Sequence, residues 1–214
     1  MNTSKMMEKL TEFSGKVAAN RYIGAIRDGM SLTIPLVIIG SFFVLFMNFP
    51  LDSWKEIIAP YSEALSLVPK FTSDFMAIFV IIGIASSLAT YYDLDRVTAI
   101  SLSIVAFLIS AVKVTSITPE NAELIGSAIS GGMMSMGNFG ATGLFTAMLT
   151  TIFSVEMIRI FSKTKLMIKM PAGVPSSVAN SFAVLVPFAV TILVLWILRA
   201  VFNIDLNETI RWIF

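Results

Sequence analysis

From Gly29 to Phe49 the chain is almost entirely apolar, without one charged side chain in twenty-one positions. A helix rises about 1.5 Å per residue, so this run reaches across a hydrocarbon core of roughly 30 Å. Four further runs share its character: 75–92, 97–117, 141–161 and 178–202. The five together hold four charges, Lys113, Glu156, Arg159 and Arg199. In lipid a backbone must satisfy its own polar groups, and runs of about 18–25 residues suit helices rather than barrel strands. The pattern predicts an all-α fold: a polytopic transmembrane helical bundle of about five spans.

Ahead of the first run the period changes. Met6, Leu10, Phe13 and Val17 fall on one helical stripe, with Lys5, Lys9, Glu12 and Lys16 roughly 90° round from it. Residues 1–28 are therefore expected to form a cytoplasmic leader containing an amphipathic helix on the membrane surface. A frayed, solvated leader is the alternative. The spans fill 29–202, and 203–214 remain as a tail.

Basic residues set the direction. Ten of them (Lys5, Lys9, Lys16, Arg21, Arg27, Arg96, Arg159, Lys163, Lys165 and Lys169) fall on one side of the predicted spans. Five (Lys55, Lys70, Lys113, Arg199 and Arg211) fall on the other. Positive charge favours the inside, which predicts an N-terminus in the cytoplasm and a C-terminus outside. Trp54, Trp196 and Trp212 then gather at the outer boundary, where indole rings favour the interface.

Composition narrows the function classes. Apolar residues make up 56% of the chain and charged residues 14%, against roughly 45–50% and about 25% in soluble domains. Fifteen basic residues against fourteen acidic ones offer no field for nucleic acid. Cysteine and histidine are both absent, which removes disulfides, thiolate chemistry and the commonest proton shuttle and metal ligand. No catalytic residue, cofactor or metal site is expected. The polar first 28 residues do not resemble a cleaved signal peptide.

Several positions between and within the spans carry chemistry. Asp95, in the short link Asp93–Arg96, suits the N-cap of the third span; a functional carboxylate pair with Asp93 is the rival reading. Residues 126–143 contain six glycines, Gly140 and Gly143 among them. That density disfavours a helix and matches no phosphate-binding fingerprint. It reads as a turn-rich or hairpin segment, or as a re-entrant piece lining a substrate path. Glu156 and Arg159 stand three apart within the fourth span, either as a helix-face pair or as a coupling or gating element. Lys113 and Arg199 read as snorkelling anchors. Gly83, Ser87, Ala85 and Ala89 permit close helix approach. Pro171 and Pro175 cannot both sit inside a regular helix, and fix a stiff interfacial elbow before the fifth span.

Three ordered motifs resemble one family. They are Ala25-Ile26-Arg27-Asp28-Gly29-Met30 with Pro35 to Ser41, then Gly140-Ala141-Thr142-Gly143-Leu144-Phe145, then Ile168-Lys169-Met170-Pro171 through Val174-Pro175 to Ser181-Phe182. Together they resemble sugar permeases of the bacterial phosphotransferase system (PTS), the membrane IIC components of the lactose, cellobiose and diacetylchitobiose group. The resemblance implies uptake of a β-linked disaccharide across the bacterial plasma membrane. Soluble IIA and IIB partners would perform the phosphoryl transfer, leaving this chain a transport component rather than an enzyme. It also implies a homodimer among membrane lipids, with the N-terminal spans as scaffold and most sugar contacts in a second half.

Family members are about twice as long, so the chain is expected to be the N-terminal scaffold and dimerisation half. Asp205 and Glu208 make a capping-box-like start to a short last helix that is marginal in isolation. The rival is a self-contained small membrane protein that assembles with or regulates a permease without carrying substrate. An ion-coupled transporter would need carboxylates deep in the bilayer, and Glu156 is the sole candidate.

Overall fold

The computed structural model of the chain describes residues 3–116, 132–164 and 182–213. Helix α1 (Thr3–Ala18) falls within the expected leader, with Met6 and Met7 exposed and Lys16 paired to Glu12 at 2.8 Å. Helix α2 (Arg21–Met47) begins eight residues before the uncharged run. The reason is local: the Asn20 side chain accepts from the N–H groups of Tyr22 and Ile23 and caps the helix there. The last third of the expected leader is thus continuous with the first long helix.

The stretch 50–74, for which no element was expected, is also helical. It holds α3 (Asp52–Ile58), a 3₁₀ turn (Ala59–Tyr61) and α4 (Ser62–Thr72), followed by α5 (Met76–Tyr91). Trp54 folds back so that its Nε1 donates to the Phe46 carbonyl, its ring edge-on to Phe46 at 4.8 Å. Helix α6 (Arg96–Ala111) follows. The third apolar run stops being helical at Ala111, and Val114–Ser116 (β1) pairs antiparallel with Gly132–Met134 (β2). A 3₁₀ turn (Ala141–Gly143) leads into α7 (Leu144–Ser162), and α8 (Leu185–Ala200) and α9 (Leu206–Ile213) complete the described chain.

The architecture is an all-α membrane bundle with one short β ribbon. Among the described residues, Arg21–Met47, Asp52–Tyr91 and Ala141–Ser162 are long and apolar enough to cross a membrane. Helices α6 and α8 are apolar but only 16 residues long.

Helix α5 is the hub, packed on α2, α6 and α7. Its inward face is Ala77, Val80, Ile81, Ile84, Ala85, Leu88 and Ala89, the i, i+3, i+4 spacing of a buried stripe. Helix α6 answers with Ala99, Leu102, Ser103, Ala106, Phe107, Ser110 and Ala111. Helix α7 answers with Thr146, Ala147, Thr150, Thr151, Ser154, Val155 and Ile158. Small and hydroxyl side chains let backbones approach where lipid supplies no hydrophobic drive for association. Most of the hydroxyls bond back along their own helix: Ser103 to the Ala99 carbonyl, Ser110 to Ala106, Thr150 to Thr146 and Ser154 to Thr150.

Candidate functional site

The link between α5 and α6 brings the ends of three helices together. Asp93 takes a left-handed conformation (φ 56°), and the Leu94 N–H returns to the Ala89 carbonyl, closing α5. Asp95 then caps α6, its carboxylate accepting from the Thr98 N–H at 2.7 Å. The structural reading of Asp95 therefore holds. That hydrogen bonding from Thr98 keeps the Asp95 carboxyl below the usual aspartate range.

This turn sets Tyr92 beside the last turns of α7. Glu156 Oε1 accepts from the Tyr92 hydroxyl at 2.5 Å and from the Tyr22 hydroxyl at 3.0 Å. Arg159 donates to Glu156 Oε2 at 2.8 Å, and its guanidinium lies 4.3 Å from the Tyr92 ring centroid. Arg21 stands over Tyr22, Tyr91 and Tyr92 at 5.4–5.9 Å. The Glu156 and Arg159 side chains are 21% and 26% exposed, so the pair is partly buried. One carboxylate thus ties α2, α5 and α7 together. Arg159 neutralises it, and the two phenols both donate to its Oε1.

Next to this clasp α2 and α5 touch backbone to backbone. A Cβ on Gly83 would stand 2.5 Å from the Gly29 Cα, and one on Gly29 would meet Ile84 Cγ1 at 2.6 Å. Beside the contact Ser87 donates to Asp28 Oδ2 at 2.8 Å. Gly83 therefore serves close approach, as its spacing predicted, and Gly29 is its partner. Ala85 and Ala89 lie in the core.

Gly140 and Gly143 lie at the other end of α5, about 24 Å away by helix rise. Gly140 packs on the Asp74 backbone, and a Cβ there would be 3.4 Å from the Asp74 carbonyl oxygen. A Cβ on Gly143 would collide with the Asn138 carbonyl. The loop before them is pinned twice: the Ala77 N–H donates to the Phe139 carbonyl, and Asn138 Nδ2 to the Ala111 carbonyl. The glycines thus serve tight packing of a turn against α5 and α6; of the glycine-rich segment, β2 and this turn are described, and the partner strand β1 lies outside the segment. Pro171 and Pro175 lie outside the described residues.

The same end corrects three expectations. Lys113 is an ion-pair partner of Glu208 (2.5 Å) and Asp205 (3.7 Å), and Arg199 donates to the Ile109 carbonyl. Neither is a simple snorkelling anchor. Helix α9 is docked rather than isolated. Asp205 caps it through the Asn207 and Glu208 N–H groups, and Asn207 is buried with its Oδ1 accepting from Thr146. Glu208 spends its carboxylate on Lys113, so the capping box is half formed.

Sequence reasoning therefore found Glu156, Arg159, Asp95 and Gly83 but missed Tyr22 and Tyr92 as partners of Glu156, Arg21 on the tyrosine rings and Gly29 as the partner of Gly83. Tyr92 at the end of the second predicted span, with Tyr22 in the leader on the same side, was the available signal. The geometry defines a class first: a helical membrane protein whose spans are locked together by polar contacts at both ends. A family model described as "Phosphotransferase system, EIIC" matches residues 27–211, and the chain belongs to that family. The PTS system cellobiose-specific EIIC component of Geobacillus stearothermophilus is 36% identical, over 96% of this chain and 46% of its own length. The lichenan permease IIC component of Bacillus subtilis is 34% identical over 91% and 44%. The crystal structure of ChbC, the IIC component from the N,N'-diacetylchitobiose-specific phosphotransferase system, superposes with a TM-score of 0.77 at 33% identity. That match covers 92% of this chain and 46% of ChbC. The chain thus spans about half the length of the relatives it matches.

Proposed function

We propose that this chain is the scaffold half of a permease that takes up a β-linked disaccharide of the cellobiose or chitobiose type across the bacterial plasma membrane. The N-terminus faces the cytoplasm, where a IIB partner, charged through IIA, phosphorylates the sugar. The observation that carries the reading is the ChbC superposition: nearly all of this chain on less than half of that transporter. The names of the cellobiose and lichenan relatives support the sugar class. In this reading the Glu156–Arg159–Tyr92–Tyr22 clasp is a positioning device. It holds α2, α5 and α7 rigid while most sugar contacts, and the movement that exposes them, belong to the rest of a full-length permease. A second copy of the chain completes the scaffold.

The test is expression of residues 1–214 in cells lacking every other permease of this group. The expected outcome is membrane insertion and self-association without cellobiose or chitobiose uptake. Uptake above background would overturn the scaffold assignment. Insertion with no effect on uptake when the remaining half of a cellobiose permease is co-expressed would favour the regulatory alternative.

A further inference from the structure

The break between α4 and α5 lies deep along α2. A Cβ on Gly40 would meet the Thr72 and Ser73 hydroxyls, the latter at 2.8 Å, so the break stands level with Gly40. Helix α2 continues to Met47, about 10 Å further by helix rise, with α4 packed beside it. Helix α6 ends near the same level: Asn138 donates to the Ala111 carbonyl, and the Phe139 carbonyl accepts from the Ala77 N–H. The irregular backbone of 136–143 is therefore set below the outer end of α2, inside the level of the first apolar run, 29–49. Such backbone is tolerated at membrane depth only against protein or beside a water-filled cavity.

A cavity of about 360 Å³ lies there, and Lys70, Asp74, Met136, Gly140, Ala141 and Thr142 line it. Lys70 and Asp74 stand one turn apart on its wall, and neither side chain has an ionic or hydrogen-bonded partner among the described residues. The ordinary duty of Asp74 would be to cap α5, and it does not. That helix starts from Phe75 without a side-chain cap, and its Ala77 N–H is taken by Phe139. A lysine can snorkel towards the surface, but the one-carbon stem of an aspartate cannot. An unpaired carboxylate at this depth is costly in lipid, so the cavity is hydrated or holds a ligand.

The wall is chemically mixed. The carboxylate accepts side by side through two oxygens, the ammonium donates three hydrogen bonds, and Thr142, which donates to the Gly137 carbonyl, keeps lone pairs as acceptors. Met136 and Ala141 add apolar surface, and Gly140 puts no side chain into the space. An anion would be repelled by Asp74 and a cation by Lys70, so a neutral ligand rich in hydroxyls matches best. The volume falls near the lower end of the roughly 300–1,000 Å³ of small-molecule sites, which suits a single sugar ring.

We propose that this cavity is an outward-facing contact site for one ring of a neutral saccharide. Asp74 accepts from two neighbouring hydroxyls, Lys70 donates to their oxygens, and the C–H face of the ring lies on Met136 and Ala141. The site rests on the reading of the chain as the scaffold half of a saccharide permease with its N-terminus inside. It gives that half a sugar contact of its own, ahead of those in the rest of a full-length permease.

The chain contains no cysteine, so a single introduced one reports its own surroundings. Cells expressing residues 1–214 with Ala141→Cys are treated with a membrane-impermeant thiosulfonate. Phe42→Cys, on the exposed apolar face of α2 at a similar depth, is the control. The reagent attacks thiolate, which forms in water and not in lipid, so Ala141→Cys is expected to react at least about tenfold faster. Cellobiose or chitobiose at about four times its Kd is expected to slow that reaction about fivefold, the factor 1 + [L]/Kd. Asp74→Asn is expected to abolish the protection and leave the reaction itself fast. No reaction in intact or permeabilised cells overturns the proposal, as does reaction that neither saccharide slows or protection that survives Asp74→Asn. Equal protection by glycine, a zwitterion able to pair with both charges, would also overturn the saccharide assignment. If Ala141→Cys does not insert, Met136→Cys carries the same measurement. Protection seen only after permeabilisation would uphold the site and overturn instead the orientation in the reading it rests on.

Discussion

Helix α2 and the α5–α6–α7 core are built from the same kinds of residues and solve opposite problems. Over its most apolar stretch α2 buries 11% of its residues inside the protein, against 39% for the α7 segment, although α2 is the more hydrophobic of the two. Its four inward positions are Ala25, Gly29, Thr33 and Gly40. The bulky residues point the other way, with Phe42 66% and Leu45 67% exposed. In α7 the buried face carries four hydroxyls and the exposed face Phe145 and Leu149. In a membrane the solvent is itself apolar, so maximal hydrophobicity marks contact with lipid. Contact between helices is marked by small and hydroxyl side chains that admit a neighbouring backbone.

The largest effect expected from this contrast is at Phe107, fully buried on α6 and edge-on to Phe139 at 5.9 Å. Phe107→Ala is expected to destabilise the chain by about 3 kcal/mol, mostly through the cavity left behind. Chemical unfolding in mixed micelles would measure it. A loss below about 1 kcal/mol would mean the core collapses around the gap, and that the α5–α7 packing is looser than its interdigitation implies.

The clasp ranks next. Glu156→Gln removes the charge that Arg159, Tyr22 and Tyr92 all address, and is expected to cost about 2 kcal/mol by leaving a partly buried cation without its partner. A double-mutant cycle with Arg159→Met checks the assignment, because residues acting as a unit give a large coupling energy. Additive effects would show that the tyrosines, rather than the ion pair, hold the three helices. Steady stability with altered uptake in a full-length permease would move Glu156 from positioning to gating.

The same contrast explains what could be read in advance. Spans were legible because continuous apolar runs report the solvent, and the Glu156–Arg159 pair because i, i+3 neighbours meet on any helix. Asp95 was legible because capping is decided within four residues. The clasp was not, since Tyr22 and Tyr92 reach Glu156 from 134 and 64 residues away. The Gly29–Gly83 crossing was half legible: the small residues of α5 were visible, but Gly29 sat inside a motif already assigned to the start of a span. Helices α3 and α4 escaped because Pro60 and Pro69 argue against helix, yet both are accommodated, Pro60 in the 3₁₀ turn and Pro69 near the end of α4. The docking of α9 depends on Lys113, 95 residues from Glu208, which no local rule connects.

A smaller effect belongs to the α5–α6 turn. Asp95→Ala is expected to lose about 1 kcal/mol, the usual worth of an N-cap. Because the folded carboxyl is held below its ordinary range, its contribution is fully present above the unfolded aspartate value. It fades as pH falls through the lower folded value. The difference in stability between wild type and Asp95→Ala should therefore narrow in acid. A gap that widens on acidification would contradict the cap.

The smallest effect is the sharpest test of the contrast. Phe42 and Phe107 are the same residue on helices of similar hydrophobicity, yet one is exposed to 66% and the other to 0%. Phe42→Ala at low protein concentration in detergent is expected to change stability by less than about 0.5 kcal/mol, as substitutions away from packed features do. The unfolded and folded states leave that ring in equivalent apolar surroundings, so nothing is lost on removing it. A concentration-dependent loss would place the α2 face in a contact between copies, consistent with a dimerising scaffold. A loss matching that of Phe107→Ala at every concentration would refute the assignment outright. It would require α2 to be packed within its own chain on the side that the structure leaves open.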